Sequence, residues 1–278
     1  MYTMPCLRPA KKPTIASKMT MIFIAIIGLI FSLSNSVLAR NGETPQQQQK
    51  QLLGLLACQS DQLKCILDYT YQNTDAIEDQ RWKDQTLRDL VMRYADAGYA
   101  PSALPIIPQI NNPDTRSMAI RAAGMGLAKH STAASRDSDT AYFTALKALA
   151  NDIAHDGARE IAFTYIAMGE TYAGQDEAAT QTAMGMKNGA LRNKALAESA
   201  EIQAERGDQN KAMESISHID DPAFKDKAYT ITAAIFIKGQ KYDEALFMAS
   251  HIENPYKQSK ILLNLSAAQI NMRDSETK

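Results

Sequence analysis

Two stretches of this chain are near copies of each other, SHIDDPAFKDKAY at Ser217–Tyr229 and SHIENPYKQSKIL at Ser250–Leu262, set 33 residues apart. The same phase runs through most of the sequence. Taking the third residue of the motif as an anchor gives Ile77, Ile110, Ile153, Met186, Ile219 and Ile252, with one interval of 43 residues among four of 33. A fixed period of this length marks one supersecondary unit repeated, each copy burying its apolar face on its neighbours. The ten extra residues fall within KHSTAASRDSDT, Lys129–Thr140, where small polar residues predict a surface loop.

Two places after each anchor stand Asp79, Asn112, His155, Asn188, Asp221 and Asn254. Asn and Asp side chains accept hydrogen bonds from the free N–H groups of a helix's first turn. Pro113, Pro222 and Pro255 follow three of them, at the first helical position that tolerates a missing N–H. These columns therefore predict helix starts. His155 is the exception, and Asp156–Gly157 is expected to take over its task.

Ten places after the anchors come Leu87, Ile120, Phe163, Leu196, Tyr229 and Leu262, and fourteen after come Val91, Gly124, Ala167, Ala200, Ala233 and Ser266. Bulky and small positions four apart form one helix face. A break containing Gly98, Gly174, Gly207 or Gly239 follows, and Ala103, Ala179, Ala212 and Ala245 share one place in the next helix. Each unit is expected to be two antiparallel helices, and the fold class all-α.

Met1–Ala39 holds Arg8, Lys11, Lys12 and Lys18, no acid, and the apolar run MIFIAIIGLIF at Met21–Phe31. With the small residues Val37 and Ala39 before Arg40, this predicts an export signal, and a periplasmic location if the envelope is Gram-negative. An uncleaved anchor over Met19–Ala39 is the other reading. The expected organisation is a signal over 1–39, a polar Gln-rich linker over 40–51, N-terminal capping helices over 52–76, and repeats over 77–278 ending in a capping helix. QQQQKQ, Gln46–Gln51, lies in that linker, a coiled extension of the next helix being the alternative.

Beyond Ala39 only Cys58 and Cys65 remain. In an exported chain an even pair predicts a disulfide, with two free buried thiols as the alternative. Seven residues of unbroken helix would hold the pair about 10 Å apart, beyond bonding reach. A new helix capped by Ser60 or Asp61 is therefore expected between them. Past the signal, twenty-six basic residues face thirty-one acids, a balance that argues against a nucleic-acid partner.

No GxSxG, HExxH, P-loop or GxGxxG pattern occurs. His218 and His251 occupy equivalent places in successive units, about one helix-packing distance of 10 Å apart, too far to share a metal. No catalytic residue, cofactor or metal site is expected, and capping accounts for Asp220–Asp221.

Leu196, Ser199, Ala200 and Ala212, and likewise Leu87, Leu90, Val91 and Ala103, follow a recognisable order. The chain resembles tetratricopeptide-repeat proteins, in a divergent alanine-rich bacterial form. The resemblance implies a right-handed superhelical solenoid of antiparallel helix pairs, with a groove lined by the first helix of each unit. The matching positions are Gln85, Met118, Ile161, Lys194, Lys227 and Lys260; Arg88, Arg121, Thr164, Ala197, Thr230 and Leu263; and Met92, Met125, Met168, Glu201, Ala234 and Ala267.

The groove expected from this resemblance carries Arg88 and Arg121, a methionine ladder (Met92, Met125, Met168) and a lysine ladder (Lys194, Lys227, Lys260). Methionines give an adaptable apolar contact and lysines suit carboxylates. Core filling by the methionines, simple solvation of the lysines and packing of the arginine stems are the competing readings. The expected function is a non-enzymatic exported scaffold holding a protein or peptide segment. A cell-envelope enzyme or enzyme subunit with an unrecognised site is the alternative from another class, and self-association through the ladders is a third.

Overall fold

A computed structural model describes Cys58 and residues 62–276. The chain divides into two compact units, residues 1–59 and 60–278, and the account below concerns the second. The expected signal, the Gln-rich linker, Ser60 and Asp61, and the first part of the expected capping segment lie outside the described residues. Cys58 and Cys65 are both disulfide-bonded, the pairing expected from the sequence. Cys65 sits in the first turn of the first described helix, which begins only at Leu63, so no single helix separates the two sulfurs.

Among the described residues there are twelve α-helices, three short 3-10 helices and no strand. The α-helices are α1 (Leu63–Gln72), α2 (Gln80–Asp96), α3 (Ala100–Ala103), α4 (Pro113–His130), α5 (Arg136–Asn151) and α6 (Asp156–Tyr172). They continue as α7 (Asp176–Met184), α8 (Gly189–Glu205), α9 (Gln209–Ser217), α10 (Pro222–Lys238), α11 (Tyr242–Ser250) and α12 (Pro255–Glu276). The long helices α2, α4, α6, α8, α10 and α12 pack each on the next, and α7, α9 and α11 pack against the helices on either side of them.

Six long helices begin where the anchor column predicts. Asp79, Asn112, Asn188, Asp221 and Asn254 accept the backbone N–H three residues on, from Trp82, Thr115, Leu191, Phe224 and Lys257 at 2.8–3.1 Å. His155 corrects the expectation, for it caps α6 itself through Nδ1, which accepts from the Ala158 N–H at 3.1 Å. Gly157 makes room for that ring, since a Cβ there would approach its Cε1 to 3.2 Å. Each cap stabilises its helix by about 1 kcal/mol.

Three of the four glycine breaks are left-handed, with φ of +81°, +74° and +80° at Gly98, Gly174 and Gly207. After each, the next N–H reaches back five residues, Tyr99 to Tyr94, Gln175 to Glu170 and Asp208 to Gln203, at 2.8–2.9 Å. This closes the helix end in a Schellman turn. The fourth break is shifted by one: Gly239 has φ −79°, Gln240 takes φ +59°, and Lys241 bonds back to Phe236 at 2.9 Å. A left-handed non-glycine residue costs about 1–2 kcal/mol, partly offset by the freedom glycine would regain on unfolding. Gln240→Gly is therefore expected to raise the urea unfolding midpoint, with a net gain of about 0.5–1 kcal/mol.

Two units depart from the expected pair. In the first, the place of the second helix is taken by the four-residue α3 and a 3-10 helix over Leu104–Gln109. Pro105 and Pro108 lie in that stretch, and proline supplies no N–H for an α-helical ladder. In the second unit the polar stretch Lys129–Thr140 is not a loop. Helix α4 runs to His130, a 3-10 turn at Ala133–Ser135 carries a Thr132–Ser135 capping box, and α5 begins at Arg136. The insertion lengthens α5 to 16 residues, against nine in α7, α9 and α11. Polar composition marked the solvated helix ends and the 3-10 turn between them here.

Leu87, Ile120 and Leu196 are fully buried, Tyr229 nearly so, and Ala103, Ala179, Ala212 and Ala245 are fully buried. These columns build two apolar clusters, one from Leu67 to Ile166 and one from Ala167 to Leu265, with Phe163 packed against both. In the last unit the pattern opens: Leu262 is 36% exposed and Ser266 is exposed.

Candidate functional site

The ladder positions all lie on the long helices, and their exposure divides them. Met92 and Met125 are half-buried, whereas Met168 is only 8% exposed and contributes to packing. Thr164 and Ala197 are buried as well. Arg88 donates to Asp89 on its own helix at 2.8 and 3.0 Å, and the Lys260 ammonium lies 5.7 Å from the Tyr256 ring centre. These two are engaged locally.

Arg121 reaches across helices. Its guanidinium lies 4.8 Å from the centre of the Tyr165 ring, carrying α4 onto α6 by a cation–π contact. Tyr172, 42% exposed, stands two turns further along α6. Its hydroxyl is pushed above the ordinary tyrosine value by burial first, then by Glu205, Glu198 and Glu201 on α8, with Arg121 opposing. Glu201 is in turn pushed up by burial and by Glu198, with Lys227 on α10 opposing and Glu205 adding to the rise. Lys194 lies 3.9 Å from Glu198. Arg121, Tyr165, Tyr172, Glu198, Glu201, Glu205, Lys194 and Lys227 thus form an electrostatically coupled band over four helices, with direct contacts at Arg121–Tyr165 and Lys194–Glu198. Two of the three ladder lysines are not bare cations but neighbours of glutamates.

Glu201 is matched to a groove position in the sequence; Tyr165, Tyr172, Glu198 and Glu205 are not. The available signal is the spacing of Glu198, Glu201 and Glu205, three and four residues apart, which puts them on one helix face. The raised Glu201 pKa sets a sign. A carboxyl whose folded value exceeds its unfolded one favours the folded state at low pH, and that contribution is lost as pH rises through the folded value. Glu201→Gln is therefore expected to raise Tm at pH 7, with the gain shrinking to nothing below the ordinary glutamate range. Equal effects at both ends of that window would refute the assignment.

Seven places after the anchors lies a second column that the sequence reading passed over: Asp84, Ser117, Glu160, Asn193, Asp226 and Ser259. Asp84 accepts the N–H groups of Asn111 and Asn112 at 3.0 and 2.8 Å. Glu160 accepts those of Lys187 and Asn188 at 3.4 and 3.2 Å, and Asp226 those of Glu253 and Asn254 at 2.8 and 3.1 Å. Asn193 varies the theme, exchanging hydrogen bonds with Asp220 through its Nδ2 and Oδ1. Each carboxylate holds the chain just before the next long helix begins. These buried acids, which in isolation suggest acid–base chemistry, are taken up by backbone amides.

Among the described residues no three of His, Cys, Asp and Glu are placed to hold a metal ion, and no helix is long and apolar enough to cross a membrane. No protein-family model and no curated protein matches this chain.

Proposed function

We propose that the chain is an exported, non-enzymatic scaffold, its helix pairs succeeding one another as a right-handed TPR-like solenoid, and that the common face of α4, α6, α8 and α10 binds a segment of another protein. The observation that carries this reading is the band from Arg121 through Tyr165 and Tyr172 to Glu198, Glu201 and Lys227. Tyrosine and arginine are the side chains that dominate binding energy at interfaces, because each combines a large apolar contact with directional hydrogen bonding. The half-buried Met92 and Met125 extend the same face with adaptable apolar surface. The occupation of Asp84, Glu160 and Asp226 by backbone amides speaks for a scaffold over a hydrolytic enzyme.

Capture of envelope proteins on the immobilised chain from Arg40 onward tests the reading. A specific partner is expected whose recovery falls about tenfold or more in Arg121→Ala or Tyr172→Ala, the loss of one interface anchor, while Lys238→Ala, at the far end of α10, leaves it unchanged. Recovery that is the same for all four proteins contradicts the proposal.

A further inference from the structure

A cleft of about 590 Å³ opens among α5, α6, α7 and the turn after α7, and none of the ladder residues lines it. That volume lies in the range of small-ligand sites. Its polar walls are Lys147 and Asn151 on α5, Arg159 and Glu160 on α6, Gln181 on α7, and Lys187. Phe163 supplies an apolar wall.

Hydrogen-bond donors predominate on these walls. Glu160 already accepts the Lys187 and Asn188 N–H groups. Lys147 is steered by the Glu170 carboxylate at 2.8 Å and Thr182 Oγ1 at 3.4 Å, which leaves it a further N–H. Arg159 donates to the Ile153 carbonyl at 3.0 Å and pairs with Asp156, with other N–H groups of its guanidinium left over. The side chains of Lys187, Asn151 and Gln181 have no partner among the described residues. Lys147 and Arg159 are balanced by Glu170 and Asp156, so recognition here runs through an array of donors more than through net charge.

The Lys147–Glu170 pair is not a requirement of the repeat. The corresponding pairs at the other anchors are Tyr71 with Tyr94, Leu104 with Leu127, Thr180 with Gln203, Met213 with Phe236 and Leu246 with Gln269, none of them an ion pair. A buried ion pair contributes little net stability over an apolar pair of similar size, and Glu170 is fully buried. The repeat therefore does not require a charged pair at this register, where Glu170 also accepts the Thr182 hydroxyl at 2.6 Å. We infer that the cleft binds a small oxyanion-bearing molecule, a carboxylate or a phosphate compound, with Lys187, Lys147 and Arg159 donating to its oxygens and Phe163 against its apolar part. This site is separate from the band on the long helices and does not rest on the scaffold reading.

Titration of the chain from Arg40 onward with citrate and with inorganic pyrophosphate, at ionic strength held constant with sodium chloride and followed by backbone amide resonances, tests the inference. Saturable shifts are expected at Gly185 and Lys187 with at least one anion, and the stronger of the two identifies the ligand as carboxylate or phosphate. Lys187→Ala removes one charged hydrogen bond without touching a contact of the fold, so it is expected to weaken binding about tenfold. Gln181→Ala weakens it less, and Lys227→Ala, on the other site, leaves it unchanged. Absence of saturable shifts with both anions, unchanged binding in Lys187→Ala, or equal binding of neutral sucrose overturns the inference.

Discussion

Asp84→Ala is expected to lower the unfolding free energy by about 3–4 kcal/mol, because hydrogen bonds to a charged group contribute about 1.5–3 kcal/mol each and the abandoned donors are left in a partly buried place. Asp84 is 3% exposed and accepts from the Asn111 and Asn112 amides as well as from Gln80 Nε2 at 2.7 Å. The loss falls at one junction, where α2 holds the start of α4. Asp84→Asn keeps one carbonyl oxygen as acceptor and is expected to lose about half as much. Asp226→Ala, at the equivalent junction between α10 and α12, repeats the effect somewhat more weakly, since Asp226 is 9% exposed. Urea unfolding of these variants beside Asp89→Ala, whose carboxylate pairs with Arg88 at the surface, checks the claim. Costs under about 1 kcal/mol for Asp84→Ala, the range of an exposed ion pair, would show that the column is not a clamp.

Gly126→Ala is the second change with a large expected effect. An ideal Cβ at Gly126 would stand 2.5 Å from the Ala95 Cβ and 2.8 Å from the Ala95 carbonyl carbon. The obstacle is thus the neighbouring helix itself, not a side chain that can turn away. Overpacking of this kind costs about 1–3 kcal/mol, and more where backbone must move, so a loss of about 3 kcal/mol is expected from thermal or urea unfolding. Adding Ala95→Gly should recover part of the loss and no more, because the carbonyl carbon remains. Gly169→Ala is expected to be milder, since its nearest obstacle is the Phe143 ring edge at 3.0 Å, with the Gly124 backbone at 3.2 Å. Gly124 and Gly169 bring α4 and α6 into backbone contact just as Gly126 brings α2 and α4 together. A tolerated alanine at Gly126 would mean that the long helices lie further apart than described.

Helix starts were the most legible part of this chain, because capping is a local bargain between one side chain and the first turn that follows it. Asn112, Asn188, Asp221 and Asn254 declare themselves within three residues. His155 could not be read the same way, as an imidazole caps only in the tautomer that leaves Nδ1 free, and sequence does not specify tautomers. Legibility fell with the distance between partners. The Asp84, Glu160 and Asp226 column meets its donors 27 and 28 residues later, so a single unit shows only a polar residue on an apolar helix. Laying the units side by side exposes it.

The candidate site was legible in its frame and not in its chemistry. Spacing brought Arg121, Glu201 and Lys227 to one face, but whether Met168 stays at the surface depends on how closely α6 and its neighbours approach, which their glycines decide. The lysine ladder looked cationic because its glutamate neighbours, Glu198 one turn along α8 from Lys194 and Glu201 on the helix beside Lys227, belong to other columns. Pro105 and Pro108 signalled the missing helix of the first unit, yet the period alone argued for a full pair there. The insertion misled in the opposite sense, its small polar residues forming a solvated 3-10 turn and the first turn of α5.

Photocrosslinking in intact cells bears most directly on the proposal that the long-helix face is where this protein meets its partner. A photoreactive residue is placed in turn at Arg121 and Tyr172 in the band, and at Glu177 and Lys238 away from it. The account predicts that one envelope protein is captured from both band positions and from neither of the others. Capture from Glu177 or Lys238 as readily as from Tyr172, or from none of the four, would contradict it.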